Sequence, residues 1–283
     1  MGMGASGVIG KCTSVVPHTA PAAWQSIVTG KRPHRHGILG KLEPLPNGRG
    51  VRGVQSTRRK TKALWNILNQ EGLATQLVGG DASPPAEALK GAVVSDHFPL
   101  ALEGLEGSWP VQAGSIHPKN LVKSLAELRM HPAEVTGFDL AHFAPRLAEM
   151  ERAEDPRLME LGTMLAETVS LHAAATELRQ NQPWDLHAVF YPGLLRSCQG
   201  FMKYHPPRPD FVSEEDFEMF RHVVEASYVF HDQMLGALLE VAGEEATVLV
   251  VSDHVYHAEE HLHNAPWMSP ALPQSCAKSA CSS

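Results

Sequence analysis

Long apolar runs are missing from this chain. None of its 283 residues sits in a stretch near the roughly 18 apolar residues that a membrane span needs, so no transmembrane segment is expected. Cysteine is scarce. Four in a chain of this length exclude a disulfide scaffold, and two of them, Cys276 and Cys281, lie in a small, polar C-terminal stretch. Basic charge does not dominate either. Lys and Arg number 24 against 31 Asp and Glu, a net charge of −7, which offers no general nucleic-acid surface. The N-terminus lacks the basic start and apolar core of a signal peptide, so a cytoplasmic location is the default expectation. Gly2 and Ser6 match the loose myristoylation pattern, but a pattern this short often arises by chance, and an unmodified start is expected.

What is present is ordinary globular composition, with 43% hydrophobic and 19% charged residues. No internal repeat or low-complexity block is read. Residues 22–28 read as a helix with Pro21 in its first turn and Gly30 closing it. A basic, Gly- and Pro-rich loop over 31–60 follows. Ala63, Leu64, Ile67 and Leu68 share one face of a predicted helix over 61–70, and residues 74–78 read as a strand. Residues 92–94 and 186–191 are further strand candidates. Helices are predicted over 117–130, 139–178 and from Ser213 to about 241, where Ser213 caps and three acids follow. Residues 247–251 form the most strand-like run. This alternation predicts an α/β fold, a mostly parallel sheet with helices on both faces. Residues 269–283 read as a disordered tail.

Two places could carry chemistry. The run Val248-Leu249-Val250-Val251-Ser252-Asp253-His254 puts an Asp and a His at the carboxyl end of a strand, where open α/β sheets bind ligands. Both are zinc-ligand types. Alternatively Asp253 caps a helix and His254 is a surface residue. Thr19 precedes a helix start and is either a nucleophile beside free N–H groups or an N-cap. The same helix start with Lys31, Arg32, His34 and Arg35 could bind an anion, although a solvated loop explains that run equally simply.

Taken in order, several segments resemble the alkaline phosphatase superfamily, in its bacterial type I phosphodiesterase/nucleotide pyrophosphatase branch. They are Trp24 to Gly40 with Thr29-Gly30 and His36-Gly37-Ile38, Lys62-Ala63-Leu64-Trp65-Asn66-Ile67-Leu68, Gly200-Phe201-Met202-Lys203-Tyr204-His205-Pro206-Pro207, and Ser252-Asp253-His254. The resemblance implies one domain over 1–268, incomplete for want of the family's first strand, with 81–180 as a helical insertion or cap. It also implies a two-metal site, zinc by family habit, that hydrolyses a small phosphate ester through a Thr or Ser nucleophile.

This sequence departs from that pattern. No Asp or Glu precedes Thr19, where the family places an early Asp ligand. The nucleophile position falls on Ala20, one residue from Thr19. An Asp and a His four residues apart are replaced by Leu195 and Gln199, and Val255 stands where Gly is usual. Asp253 and His254 remain as metal ligands. The last family His falls in the divergent end, where His257, His261 and His263 with Glu259 and Glu260 read as a solvated stretch. The expectation is therefore a phosphodiesterase scaffold with impaired or lost activity; the alternative is a non-catalytic remnant that acts only by binding.

Overall fold

The computed structural model describes residues 7–14, 19–100, 109–147 and 155–253. Helices α1 (Ala20–Thr29) and α2 (Pro33–His36) precede a hairpin of β1 (Leu42–Pro44) and β2 (Val51–Gly53). Helix α3 (Leu64–Gln70) leads to β3 (Thr75–Val78), β4 (Gly91–Val94) and β5 (Ile116–His117). After α4 (Val122–Ala126), α5 (Gly137–Ala141) and the long α6 (Pro156–Asn181) comes β6 (Leu186–Val189). Helices α7 (Pro192–Phe201), α8 (Glu214–Phe220) and α9 (Val223–Ala242) follow.

The main sheet runs β5-β4-β3-β6, with β3 parallel to both β4 and β6 and only β5 antiparallel. All four residues of β3 are buried, so both of its faces are covered. Gln76 and Val78 share one face. There Gln76 Nε2 donates to Leu178 O at 2.9 Å and Gln182 O at 3.0 Å, which satisfies the carbonyls that the end of α6 leaves free. On the other face Asn69 Nδ2 of α3 donates to Thr75 Oγ1 at 3.1 Å. The protein therefore has the predicted α/β fold, helices on both sides of a mostly parallel sheet.

Helix α6 joins two cores. Pro156 and the Asp155 cap, whose side chain accepts from Arg157 N, start it. Its second half lays Leu171, Ala174, Ala175 and Leu178, at helical spacing, against Val78, Ala92 and Val94 of the sheet. Its first half packs Leu158, Leu161 and Leu165 with Phe201, Phe217, Phe220 and Val223 from the three C-terminal helices. Among the described residues no helix is long and apolar enough to cross a membrane.

Several predicted boundaries move. The 31–60 loop contains α2 and the hairpin. The 117–130 helix shrinks because His117 pairs with Val93 in the sheet and Pro118 follows it. The 139–178 helix is interrupted, with Pro145 and Pro156 inside it. The helix from Ser213 breaks at Arg221–His222 into α8 and α9.

The largest correction concerns 247–251, which pairs with no strand among the described residues. Leu249 is 84% exposed and Val250 68%. Strand propensity expresses the fit of side chains to a partnered, half-buried surface. This segment lies across a cavity from β6 instead of in its ladder. Leu186 and Phe190 amides bond β3, so those of His187 and Val189 face the outer edge, with no strand paired there among the described residues. The tail over 269–283 lies outside the described residues.

Candidate functional site

Three aspartates lie close enough for their charges to be felt at Asp81, though not grouped tightly enough to hold a metal ion: Asp81 after β3, Asp96 after β4, and Asp253 after the unpaired segment. Asp81 is brought in by a tight turn. Gly79 has φ +76°, and a Cβ there would sit 2.6 Å from Phe190 O, so only glycine lets β3 and β6 end side by side. Ala82, next to Asp81, is itself held at φ 60°. From α1, Gln25 Nε2 donates to Asp81 O at 3.1 Å, and Trp24 meets Phe190 edge-on at 4.8 Å.

Burial pushes the Asp81 carboxyl up to about 6, the charges of Asp96 and Asp253 add to the rise, and Lys41 opposes it. Asp81 Oδ2 is buried with no hydrogen-bond partner among the described residues. Burial also raises Asp96 to about 6, against hydrogen bonds from Ser83 and the local backbone. Ser83 Oγ donates to Asp96 Oδ1 at 3.1 Å and accepts from Asp96 N at 2.9 Å. A buried cluster of like charges favours binding a cation or sharing a proton.

Asp81 and Asp96 were not among the predicted site residues. A signal was available: Val93-Val94-Ser95-Asp96-His97 matches Val250-Val251-Ser252-Asp253-His254 residue for residue. The first copy ends a paired parallel strand; the second is unpaired over its described residues.

Thr19 occupies the N-cap position of α1 but makes no side-chain cap bond; its Oγ1 donates to Leu39 O at 3.2 Å. Ala20 is the first helical residue. The basic run Lys31 to Arg35 spans the end of α1 and α2 at the surface, whereas His36 is fully buried. His36 Nδ1 accepts from Ile38 N at 3.2 Å, so its Nε2 carries the proton and donates to Ser26 Oγ at 3.1 Å. Burial holds its pKa below the usual range. This histidine fixes the turn after α2.

Asp253 is half-buried and lines a cavity of about 660 Å³ together with Leu195. Leu195 and Gln199 stand one helical turn apart on α7, directly after β6; Leu195 is half-buried and Gln199 exposed. His254, His257, His261 and His263 lie outside the described residues. Among the described residues no three His, Cys, Asp or Glu side chains are grouped to hold a metal ion, so the described donors by themselves do not make up a two-metal centre.

The raised carboxyl makes a stability prediction. Asp81 binds its proton more tightly folded than unfolded, so its ionised form costs stability above pH 6, and the cost fades as pH falls toward 3.8. Asp81→Asn is expected to stabilise the fold by about 2 kcal/mol at pH 7.5 and not at all below pH 4. Urea unfolding at both pH values checks this; equal effects at the two would refute it.

Over residues 3–278 the chain matches the model of a family described as type I phosphodiesterase / nucleotide pyrophosphatase. Among curated proteins it is 28% identical over 204 residues to a galactose-1-phosphate uridylyltransferase of Haemophilus influenzae, covering 69% of this chain and 52% of that one. The chain thus spans about half the length of this curated relative. No solved structure matches it. The matched family is generally metal-dependent. With a family match along nearly its whole length and the mostly parallel sheet that the resemblance implied, the chain belongs to the type I phosphodiesterase/nucleotide pyrophosphatase family, within the alkaline phosphatase superfamily.

Proposed function

We propose that this chain carries the phosphodiesterase scaffold with its metal-dependent hydrolysis impaired or lost. The observation that carries the reading is the pair Leu195 and Gln199. They occupy the turn of α7 just beyond β6, at the four-residue spacing where an Asp and a His would converge on one ion. A leucine offers no donor, and an amide oxygen is a poor zinc ligand. Ala20 at the family's nucleophile position supports the same reading. Thr19, one residue earlier, is the remaining candidate nucleophile, and its hydroxyl is engaged with Leu39 O. Asp253 and His254 are the retained metal ligands, and two protein ligands seldom hold a catalytic zinc, which ordinarily has three and a water. Residues 1–268 act as one unit in this proposal; of the span 81–180 expected as an insertion or cap, β4 and β5 are strands of the main sheet and the second half of α6 packs on it.

The test is metal content after dialysis against zinc-free buffer, together with hydrolysis of bis(4-nitrophenyl) phosphate. Less than one tightly held ion per chain is expected, with no turnover that Asp253→Ala abolishes. Two ions per chain, or an activity lost on that substitution, would overturn the proposal and leave an active phosphodiesterase.

A further inference from the structure

The cavity beside β6 ends, near the start of that strand, at a buried cation. Arg179, in the last turn of α6, is only 7% exposed. Its guanidinium stacks 3.5 Å above the Trp184 ring. Nε and Nη2 are buried and have no hydrogen-bond partner among the described residues. These two nitrogens lie on one edge of the guanidinium, the edge that pairs bidentately with a carboxylate; both have almost no accessible surface, so the side chain must rotate to open that edge to the cavity. The neighbouring acid, Asp185, turns Oδ2 to Ala74 N at 2.7 Å. Burial pulls the Arg179 pKa down, and no carboxylate offsets it. A buried cation without a counter-charge is costly, so this place is electrostatically matched to an anion.

His187 lines the same end. Gln76 Nε2 is spent on the α6 carbonyls, so Gln76 Oε1 accepts from His187 Nδ1 at 2.7 Å. Burial, and then the Arg179 charge, lower its pKa to about 4, which keeps the imidazole neutral at pH 7. Arg179 supplies the positive charge here. Beyond it the cavity turns apolar, walled by Leu186, Val189, Leu235, Leu238 and Leu239, over about 660 Å³. That volume falls in the range of small-molecule sites.

We propose that this cavity binds an amphiphilic carboxylate such as a fatty acid, its head bidentate on Arg179 over Trp184 and its chain along β6 and α9. The head sits at the opposite end of β6 from Asp253, but the cavity is the one that Asp253 and Leu195 also line, so a bound chain would run toward the side of the phosphodiester reading. The test titrates the full chain with decanoate, decanol and acetate, followed by calorimetry and by Trp emission. Decanoate is expected to bind one per chain, at least tenfold more tightly than decanol, and acetate not at all at the same concentrations. Arg179→Met should erase the preference for decanoate over decanol. Equal affinity for the acid and the alcohol in the native chain would overturn the proposal without any variant, as would unchanged decanoate affinity in a folded Arg179→Met. Acetate binding as tightly as decanoate would reduce the site to a plain anion hole and overturn the apolar part.

Discussion

Gly91→Ala is expected to lower the melting temperature by at least about 10 °C, or to leave no cooperative transition. Gly91 opens β4 at φ +126°, a conformation that L side chains rarely adopt. A Cβ there would lie 2.0 Å from Thr75 O and 2.7 Å from Thr75 N. Those atoms belong to the backbone of the central strand, pinned between β4 and β6, so they cannot give way as the tip of a side chain could. Backbone strain of this kind costs about 1–3 kcal/mol, and separating β3 from β4 adds the loss of their ladder and of the packing under Val93 and Val94. Against a total stability of about 5–15 kcal/mol this is a large fraction. Gly30→Ala is the matched control. Gly30 also has positive φ, at +63°, but nothing lies within 4 Å of its missing Cβ. It should cost only about 1 kcal/mol. Circular dichroism melts of both variants decide the matter; a Gly91→Ala melt within 2 °C of the Gly30→Ala melt would show that β3 and β4 can separate cheaply.

Gly91 also marks where the sequence stops being legible. Val93 and Val94 announce a strand, and the alternation of helices with short apolar runs announces a parallel sheet. Both follow from local patterning and survive in the structure. Strand partnership is different, because it depends on what lies alongside. The run 247–251 has stronger strand chemistry than 75–78, yet Gln76 is in the central strand and Leu249 is exposed to solvent. Gln76 is a buried polar residue whose place is earned by the free carbonyls of α6, about a hundred residues away, and no local window contains that information. The site divides along the same line. Asp253 was visible because a strand pattern led up to it. Asp81 follows two glycines in a stretch that reads as loop, and only the pairing of β3 with β4 brings it near Asp96. Arg179 falls one residue past the helix read over 139–178, and its burial follows from Trp184 folding back over it after the turn at Pro183.

The double substitution Leu195→Asp with Gln199→His is expected to convert this chain into one that retains zinc. The two side chains would project from the same face of α7, one turn apart, a spacing at which helical ligands meet on one ion. Leu195 already lines the cavity that Asp253 lines, so a carboxylate at 195 would join the group at the carboxyl end of the sheet. Asp81 and Asp96 add negative charge there, and a cation would relieve the burial that now raises both. Zinc affinity should rise at least about a hundredfold, roughly 2.8 kcal/mol, with one ion per chain held through dialysis. Each single substitution should gain much less, because one ligand cannot replace the missing pair. Asp81 offers a second readout: zinc should depress its carboxyl toward the ordinary range, so the stability gained from Asp81→Asn at pH 7.5 should shrink in the zinc-loaded double variant. If the double variant holds no more zinc than the parent, the turn after β6 does not face the aspartates. The loss of ligands at 195 and 199 would then no longer explain an impaired site.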